Sequence, residues 1–314
     1  MSRLFVGIDV SKDRLDVAAH PDASSWSVPN DDGGVEDLVR RLGDLRPVCI
    51  VLEATGGLEM SALSGLAVAG LPAVAVNPRQ TRRFAQAAGL LEKTDRIDAL
   101  VLARFAEAMK PEIRPIPDAP AQELRALTVR RRQLTEMLTA EKNRRSMAPK
   151  RMVQEIDKHI AWLEKSLSRI QDELEKMIRN TPAWREKDDV LQSAQGIGPK
   201  TSAVLIAELP ELGSLDRWKI AKLVGLAPMN CDSGRYRGQR HIQGGRASLR
   251  CALYMATLSA IRWNPAIRVF YQRLMAAGKL FKVAMTACMR KLLVHLNAML
   301  RDRSRRQEKT PQTA

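Results

Sequence analysis

A chain of 314 residues with 45% hydrophobic content is long enough for two or three packed units with real cores. Its 51 Lys and Arg against 35 Asp and Glu give a formal net charge of +16, which points to a polyanion, and nucleic acid fits better than a membrane surface. No stretch approaches the roughly 18 apolar residues of a membrane-spanning helix, the N-terminus lacks a signal-peptide layout, and the scattered Cys49, Cys231, Cys251 and Cys288 form no zinc-type pair, so a cytoplasmic location with reduced thiols is expected.

Residues 1–118 read as alternating strands and helices. LFVGIDV, RLDVAAH and WSVPN are short strand-like runs forming a meander, and VCIVLEA and PAVAVNP are continuous apolar runs of buried strands. GGVEDLVRRLGDL and LEMSALSGLAVAG carry helical spacing. So does TDRIDALVLARFAEAM, with Ile97, Leu100, Val101 and Phe105 on one face. Pro111, Pro115, Pro117 and Pro120 then punctuate a linker.

Residues 119–182 predict a helical hairpin or coiled-coil arm broken near Pro149. Ile156, Ile160, Leu163, Leu167, Ile170, Leu174 and Met177 alternate spacings of three and four, as a coiled-coil seam does. That seam serves equally a bundle packed on its own domain or an arm for self-association. Residues 183–290, where glycines return, predict a mainly α-helical C-terminal domain. Residues 291–314 predict a helix end followed by a polar, basic, disordered tail.

Two strands end in carboxylates, Asp9 in GIDVSKD and Glu53 in VLEATGG, and strand ends next to helix starts collect functional groups. Asp95 and Asp98 in KTDRIDA, three apart, share a helix face. Four gathered carboxylates repel one another, and two hard divalent cations, Mg²⁺ or Mn²⁺, relieve that repulsion and serve phosphoryl transfer. Each group has a plainer reading. Asp13 or Asp16 can replace Asp9 as ligand, Asp95 can cap a helix, and Glu53 can belong to a salt bridge.

Two further segments suit nucleic acid. LQSAQGIGPKTSAVL reads as helix, tight turn, helix, in which Gly196 and Gly198 permit the turn and the amides before Lys200 and Thr201 can cradle a phosphate. The plainer reading is an ordinary helical corner. GLAPMNCDSGRYRGQRHIQGGRASLR sets Arg235, Arg237, Arg240, Arg246 and Arg250 among glycines, a composition suited to close approach to phosphates. Ser233 in Asp-Ser-Gly is a candidate nucleophile, although that triplet is also turn chemistry, and Cys231 and Ser248 are rivals. With only 4% aromatic residues, stacking platforms for single-stranded bases are sparse.

Taken in order, GIDVSKD, VLEATGG and KTDRIDA resemble the three acidic blocks of the DEDD insertion-sequence transposases, the bridge-RNA-guided recombinases of the "IS one-ten" family and its "IS eleven-eleven" subgroup. GLAP followed by Ser-Gly and a basic glycine-rich run is similar to the same family's C-terminal transposase domain. The resemblance spans about residues 3–290. It implies an α/β RuvC-like (ribonuclease-H-like) N-terminal domain whose Asp9, Glu53, Asp95 and Asp98 bind two Mg²⁺ or Mn²⁺ ions. It further implies Ser233 as a nucleophile forming a 5′-phosphoserine with DNA, and a composite site shared between subunits of a dimer or tetramer. A bridge RNA pairing with donor and target DNA would set the target. A RuvC-type Holliday-junction resolvase or nuclease shares the acidic site without a serine. A noncatalytic nucleic-acid-binding protein would not need four intact carboxylates, and an actin-like sugar kinase, suggested by GIDVSK alone, needs a second similar lobe.

Overall fold

The computed structural model describes residues 3–90, 95–113 and 116–309, with side chains left out at 95, 96 and 304–309. The chain divides into two compact units, 1–117 and 118–314.

The first unit is built on a five-stranded sheet. Strands β1 (Phe5–Val10), β2 (Arg14–His20) and β3 (Ser25–Pro29) form an antiparallel meander, which makes WSVPN a true third strand. Helix α1 (Asp32–Leu45), β4 (Cys49–Glu53), α2 (Met60–Val68), β5 (Ala73–Val76), α3 (Pro78–Ala87) and α4 (Asp95–Met109) follow. The strand order is β3-β2-β1-β4-β5, with β4 parallel to both β1 and β5. A three-strand meander continued by two parallel crossovers is the ribonuclease-H-like, RuvC-like arrangement.

The strand period of two sorts the sheet's faces. Val6, Ile8 and Val10 of β1 pack with Ile50 and Leu52 of β4 and with Leu38, Leu42, Leu63 and Leu66 of α1 and α2. The alternate residues Phe5, Cys49, Val51, Val74 and Val76 pack against Leu102, Phe105 and Ala106 of α4. Gly7 lies between these alternates, and a Cβ there would stand 2.1 Å from the Ala99 carbonyl oxygen. The missing side chain lets α4 lie directly on β1. Phe5 sits in the same cluster as Phe105 and Ala106, whereas Gly7 meets Ala99 and Ala103, so α4 runs antiparallel to β1 and its first turn reaches the strand's C-terminal end.

The second unit is helical: α5 (Ala119–Met147), α6 (Lys150–Asn180), α7 (Pro182–Gln192), α8 (Pro199–Glu208), α9 (Arg217–Val224), α10 (Ala247–Trp263), α11 (Pro265–Ala276) and α12 (Phe281–Lys309). Four two-residue strands, β6 (Pro228–Met229), β7 (Asp232–Ser233), β8 (Tyr236–Arg237) and β9 (His241–Ile242), interrupt the helices between α9 and α10. Helices α5 and α6 form the antiparallel hairpin expected at Pro149, tied across by Arg145–Asp157 at 2.5 Å and Lys142–Glu164 at 2.8 Å. The Arg145 guanidinium, through its hydrogen bond above all, holds the Asp157 carboxyl below its ordinary value.

Leu163, Ile170 and Leu174 of the seam join Leu124 and Leu134 of α5 in one apolar cluster that continues through Leu205, Leu253 and Leu292 to Leu300. Five of the seven seam residues, Leu163, Leu167, Ile170, Leu174 and Met177, therefore pack inside their own unit. The expected tail also differs: α12 continues to Lys309, and residues 310–314 lie outside the described ones. Arg, Glu and Lys are good helix formers, and extending an existing helix avoids the cost of nucleation.

Candidate active site

Asp9 and Glu53 occupy the last positions of the α4-facing alternation, after Phe5 and Gly7 on β1 and after Cys49 and Val51 on β4. Ile8 pairs with Leu52 in the parallel register, so Asp9 and Glu53 follow side by side on strands about 4.8 Å apart. Both are half-buried. Asp98 is half-buried in the first turn of α4, the end of that helix which reaches the C-terminal end of β1. Asp95 opens the same helix, and its side chain lies outside the described ones. The backbone thus sets Asp9 and Glu53 on adjacent strand ends, on the face that α4 covers. Among the described residues, no group of three or more His, Cys, Asp or Glu side chains is closed around a metal position. The donor set is all carboxylate oxygen, the chemistry that Mg²⁺ or Mn²⁺ takes.

Two side chains that sequence reading passed over shape this corner. The Thr81 hydroxyl of α3, buried, lies 3.1 Å from Glu53 Oε2 and 3.0 Å from the Pro78 carbonyl oxygen, and its one proton serves these two acceptors. Glu59, also buried, takes the backbone N–H of Thr55 at 3.1 Å and of Gly57 at 2.8 Å on one oxygen. It thereby fixes the Thr-Gly-Gly loop that leaves Glu53, whose Gly56 and Gly57 both have positive φ. An acid placed two residues after a glycine pair was the legible signal for Glu59; Thr81 had none, because its partner is 28 residues away. The rival Asp16 is already engaged: it accepts from Arg14 Nε at 2.8 Å and pairs with the Ser27 hydroxyl. Asp13 is exposed in the turn after β1.

In the second unit, β7 and β8 form a hairpin with Gly234 and Arg235 as its two turn residues, and Gly234 takes φ +55. Ser233, Arg235, Arg237 and Arg240 are all exposed there. Arg237 approaches Asp232 at 3.6 Å, and the Cys231 carbonyl accepts from the Gly238 N–H at 3.1 Å. Arg246 and Arg250, expected to face phosphates with the other three, are built into the fold instead. Arg246 makes a two-pronged ion pair with Glu211, at 2.6 and 2.8 Å, and donates to the Glu208 carbonyl. Arg250 donates to the carbonyls of Val224 and Gly244. The glycines beside them have a packing role: a Cβ on Gly225 would stand 2.2 Å from the Gly244 carbonyl, and one on Gly245 2.2 Å from the Gly225 N–H. The two ends of the 225–245 excursion are clasped backbone to backbone.

The rival nucleophiles differ in setting. Ser248 is hydrogen-bonded to Glu208 at the start of α10, whereas Cys231 is exposed. Cys288 is buried, and burial pushes its thiol up to about 11. In the glycine corner, α7 and α8 flank a short turn, with Gly196 at φ +103 packed on Ala260 and Gly198 capping α8. Lys200 is exposed and Thr201 half-buried at the start of that helix.

A family model described as Transposase, of the DEDD IS110 type, matches residues 6–148, and one described as Transposase IS116/IS110/IS902 family matches residues 188–272. Fold and families together define a DNA-recombining enzyme with a RuvC-like domain. The chain is 27% identical over 312 residues to the pilin gene-inverting protein of Moraxella bovis, across 96% of this chain and 97% of that protein. It is 33% identical over 115 residues to an uncharacterized 43.6 kDa protein of insertion element IS110 from Streptomyces coelicolor, across 36% of this chain and 28% of that one. A Thermus thermophilus RuvC structure aligns with 34% of this chain and 96% of its own, at 17% identity and a TM-score of 0.24. The chain belongs to the IS110/IS116/IS902 family of DEDD transposases. As a transposase it acts on DNA, and no described helix is long and apolar enough to cross a membrane.

Proposed function

We propose that the protein cuts and rejoins DNA strands with Ser233 as nucleophile, using Asp9, Glu53, Asp95 and Asp98 to hold two divalent cations, and that a structured RNA guides it to its donor and target duplexes. The observation that carries the reading is the placement of Asp9 and Glu53 on neighbouring strand ends, on the face covered by the start of α4. Mg²⁺ or Mn²⁺ held there would supply Lewis-acid stabilisation of a phosphoryl oxygen.

The chain's own part is nucleophilic. The Ser233 oxygen forms a bond to phosphorus, the bond from phosphorus to the 3′ oxygen breaks, and the serine proton leaves with the 3′ hydroxyl. The 5′-phosphoserine retains the energy of the phosphodiester, so reversal of the same displacement joins strands without ATP. Exposure of Ser233 on a hairpin supports this role, and Arg235 and Arg237 on that hairpin, with Arg240 in the segment that follows it, supply positive charge for the transition state. Inversion, the activity named for the Moraxella relative, and insertion share this requirement for cutting followed by joining. Two duplexes call for more than one copy of the chain, and we extend the reading to a homodimer or homotetramer.

Denaturing electrophoresis of the full chain with its DNA, RNA and Mg²⁺ tests the nucleophile. A covalent protein–DNA adduct is expected with the wild type and lost in Ser233→Ala. An adduct that persists in Ser233→Ala removes Ser233 from the reaction, and metal-dependent cleavage without any adduct favours a RuvC-type nuclease. Sequencing the RNA that co-purifies tests the guide. A monomer by light scattering, with RNA and DNA present, overturns the oligomer.

A further inference from the structure

Helix α3 presents two unlike sides. Inward, Thr81 reaches Glu53, and Phe84 meets Phe105 of α4 edge-on with ring centroids 5.6 Å apart. These two contacts fix the helix beside the carboxylate corner. Outward, Arg79, Arg82 and Arg83 fall at i, i+3 and i+4, with Gln86 at i+7, and all four are exposed. Among the described residues, none of the three guanidinium groups has a carboxylate at ion-pair distance. Helix α1, on the other face of the sheet, shows the contrast: its Arg40 and Arg41 both pair with Asp37.

Like charges at these spacings weaken an isolated helix. An unneutralised row therefore needs a reason, and a polyanion lying against it supplies one. From Arg79 to Arg83 the helix advances about 6 Å, and one DNA strand presents a phosphate about every 3.4 Å of duplex axis. The row thus matches two or three successive phosphates.

We propose that Arg79, Arg82 and Arg83 form a rail for the backbone of the DNA strand whose phosphate is cut at the Asp9–Glu53 corner. This rests on the nuclease reading of that corner, because the Thr81–Glu53 contact is what places the rail beside it. The rail grips phosphate and reads no sequence, so the target remains the guide's choice. Guanidinium forks suit this role better than lysines, since they bind phosphate with two parallel N–H donors.

The test titrates salt against binding of a fluorescent DNA duplex of arbitrary sequence to the full chain at fixed Mg²⁺. In the variant Arg79→Ala/Arg82→Ala/Arg83→Ala the slope of log K against log salt should fall by about 2 to 3, at about 0.9 per phosphate contact. Each single Ala variant should lower it by about 0.9, which keeps the test open if the triple variant does not fold. The corresponding triple Lys variant should restore the slope. An unchanged slope in the Ala variants, with the wild type binding normally, overturns the rail and leaves the transposase reading standing. A loss seen only with an RNA duplex overturns the assignment to DNA. Failure of the wild type to bind DNA at all overturns both.

Discussion

The two regions that carry chemistry are held in opposite ways. In the first unit, Asp9 and Glu53 grow from the central strands of a sheet covered on both faces, and Gly7 lets α4 press onto the strand that carries Asp9. In the second, Ser233, Arg235 and Arg237 ride on a short exposed hairpin, with Arg240 just beyond it, in an excursion whose ends are clasped by Gly225 and Gly245 and tied by Arg246 and Arg250. Like-charged carboxylates must be forced together by a rigid scaffold, because nothing in them favours the arrangement without a cation. Arginines and a hydroxyl need no such force and gain from being able to reach a long, variable ligand. Precision is placed where repulsion has to be overcome, and reach where attraction already works.

The contrast can be broken at either end. The largest effect is expected from Asp9→Asn and from Ser233→Ala. Each should lower strand exchange by about a thousandfold or more while leaving the thermal unfolding of both units intact. Gly7→Ala should then separate the regions. Its Cβ has nowhere to go without moving α4, so the first unit should lose about 3 kcal/mol of stability, read by denaturant unfolding, with the second unit unchanged. Arg246→Ala is the mirror experiment. It leaves Glu211 without its guanidinium in a half-buried position and should cost the second unit about 2 kcal/mol, with no effect on the first.

Finer changes sharpen the picture. Thr81→Val keeps volume and removes the hydroxyl that orients Glu53. It should raise the Mg²⁺ concentration for half-maximal activity about tenfold with little change in folding. Cys231→Ser should leave strand exchange at the wild-type level, since only the carbonyl of that residue ties the hairpin. A loss of activity there would transfer the nucleophile's role from Ser233 to Cys231.

Much of the first unit was legible because its determinants are local and periodic. Alternation in LFVGIDV and the unbroken apolar run of VCIVLEA specify strands, and the strand ends mark Asp9 and Glu53. The arginine-rich segment was less legible. Five arginines among glycines look alike in sequence, yet two of them point inward to Glu211 and to backbone carbonyls that lie 6 to 38 residues away. The heptad seam likewise announced a partner without naming it, and within the chain Leu124 and Leu134 of α5 share one apolar cluster with its Leu163, Ile170 and Leu174.

The sequence by itself determined the periodic elements, the positive charge that calls for a polyanion, and the carboxylates at the ends of two strands. These follow from near-neighbour rules of backbone and side chain. Only the tertiary structure decided which face of the sheet those carboxylates share, which buried side chains orient them, and which arginines are left over for a ligand. Those outcomes depend on contacts between residues far apart in the chain, where packing and hydrogen bonding choose among groups that are locally equivalent.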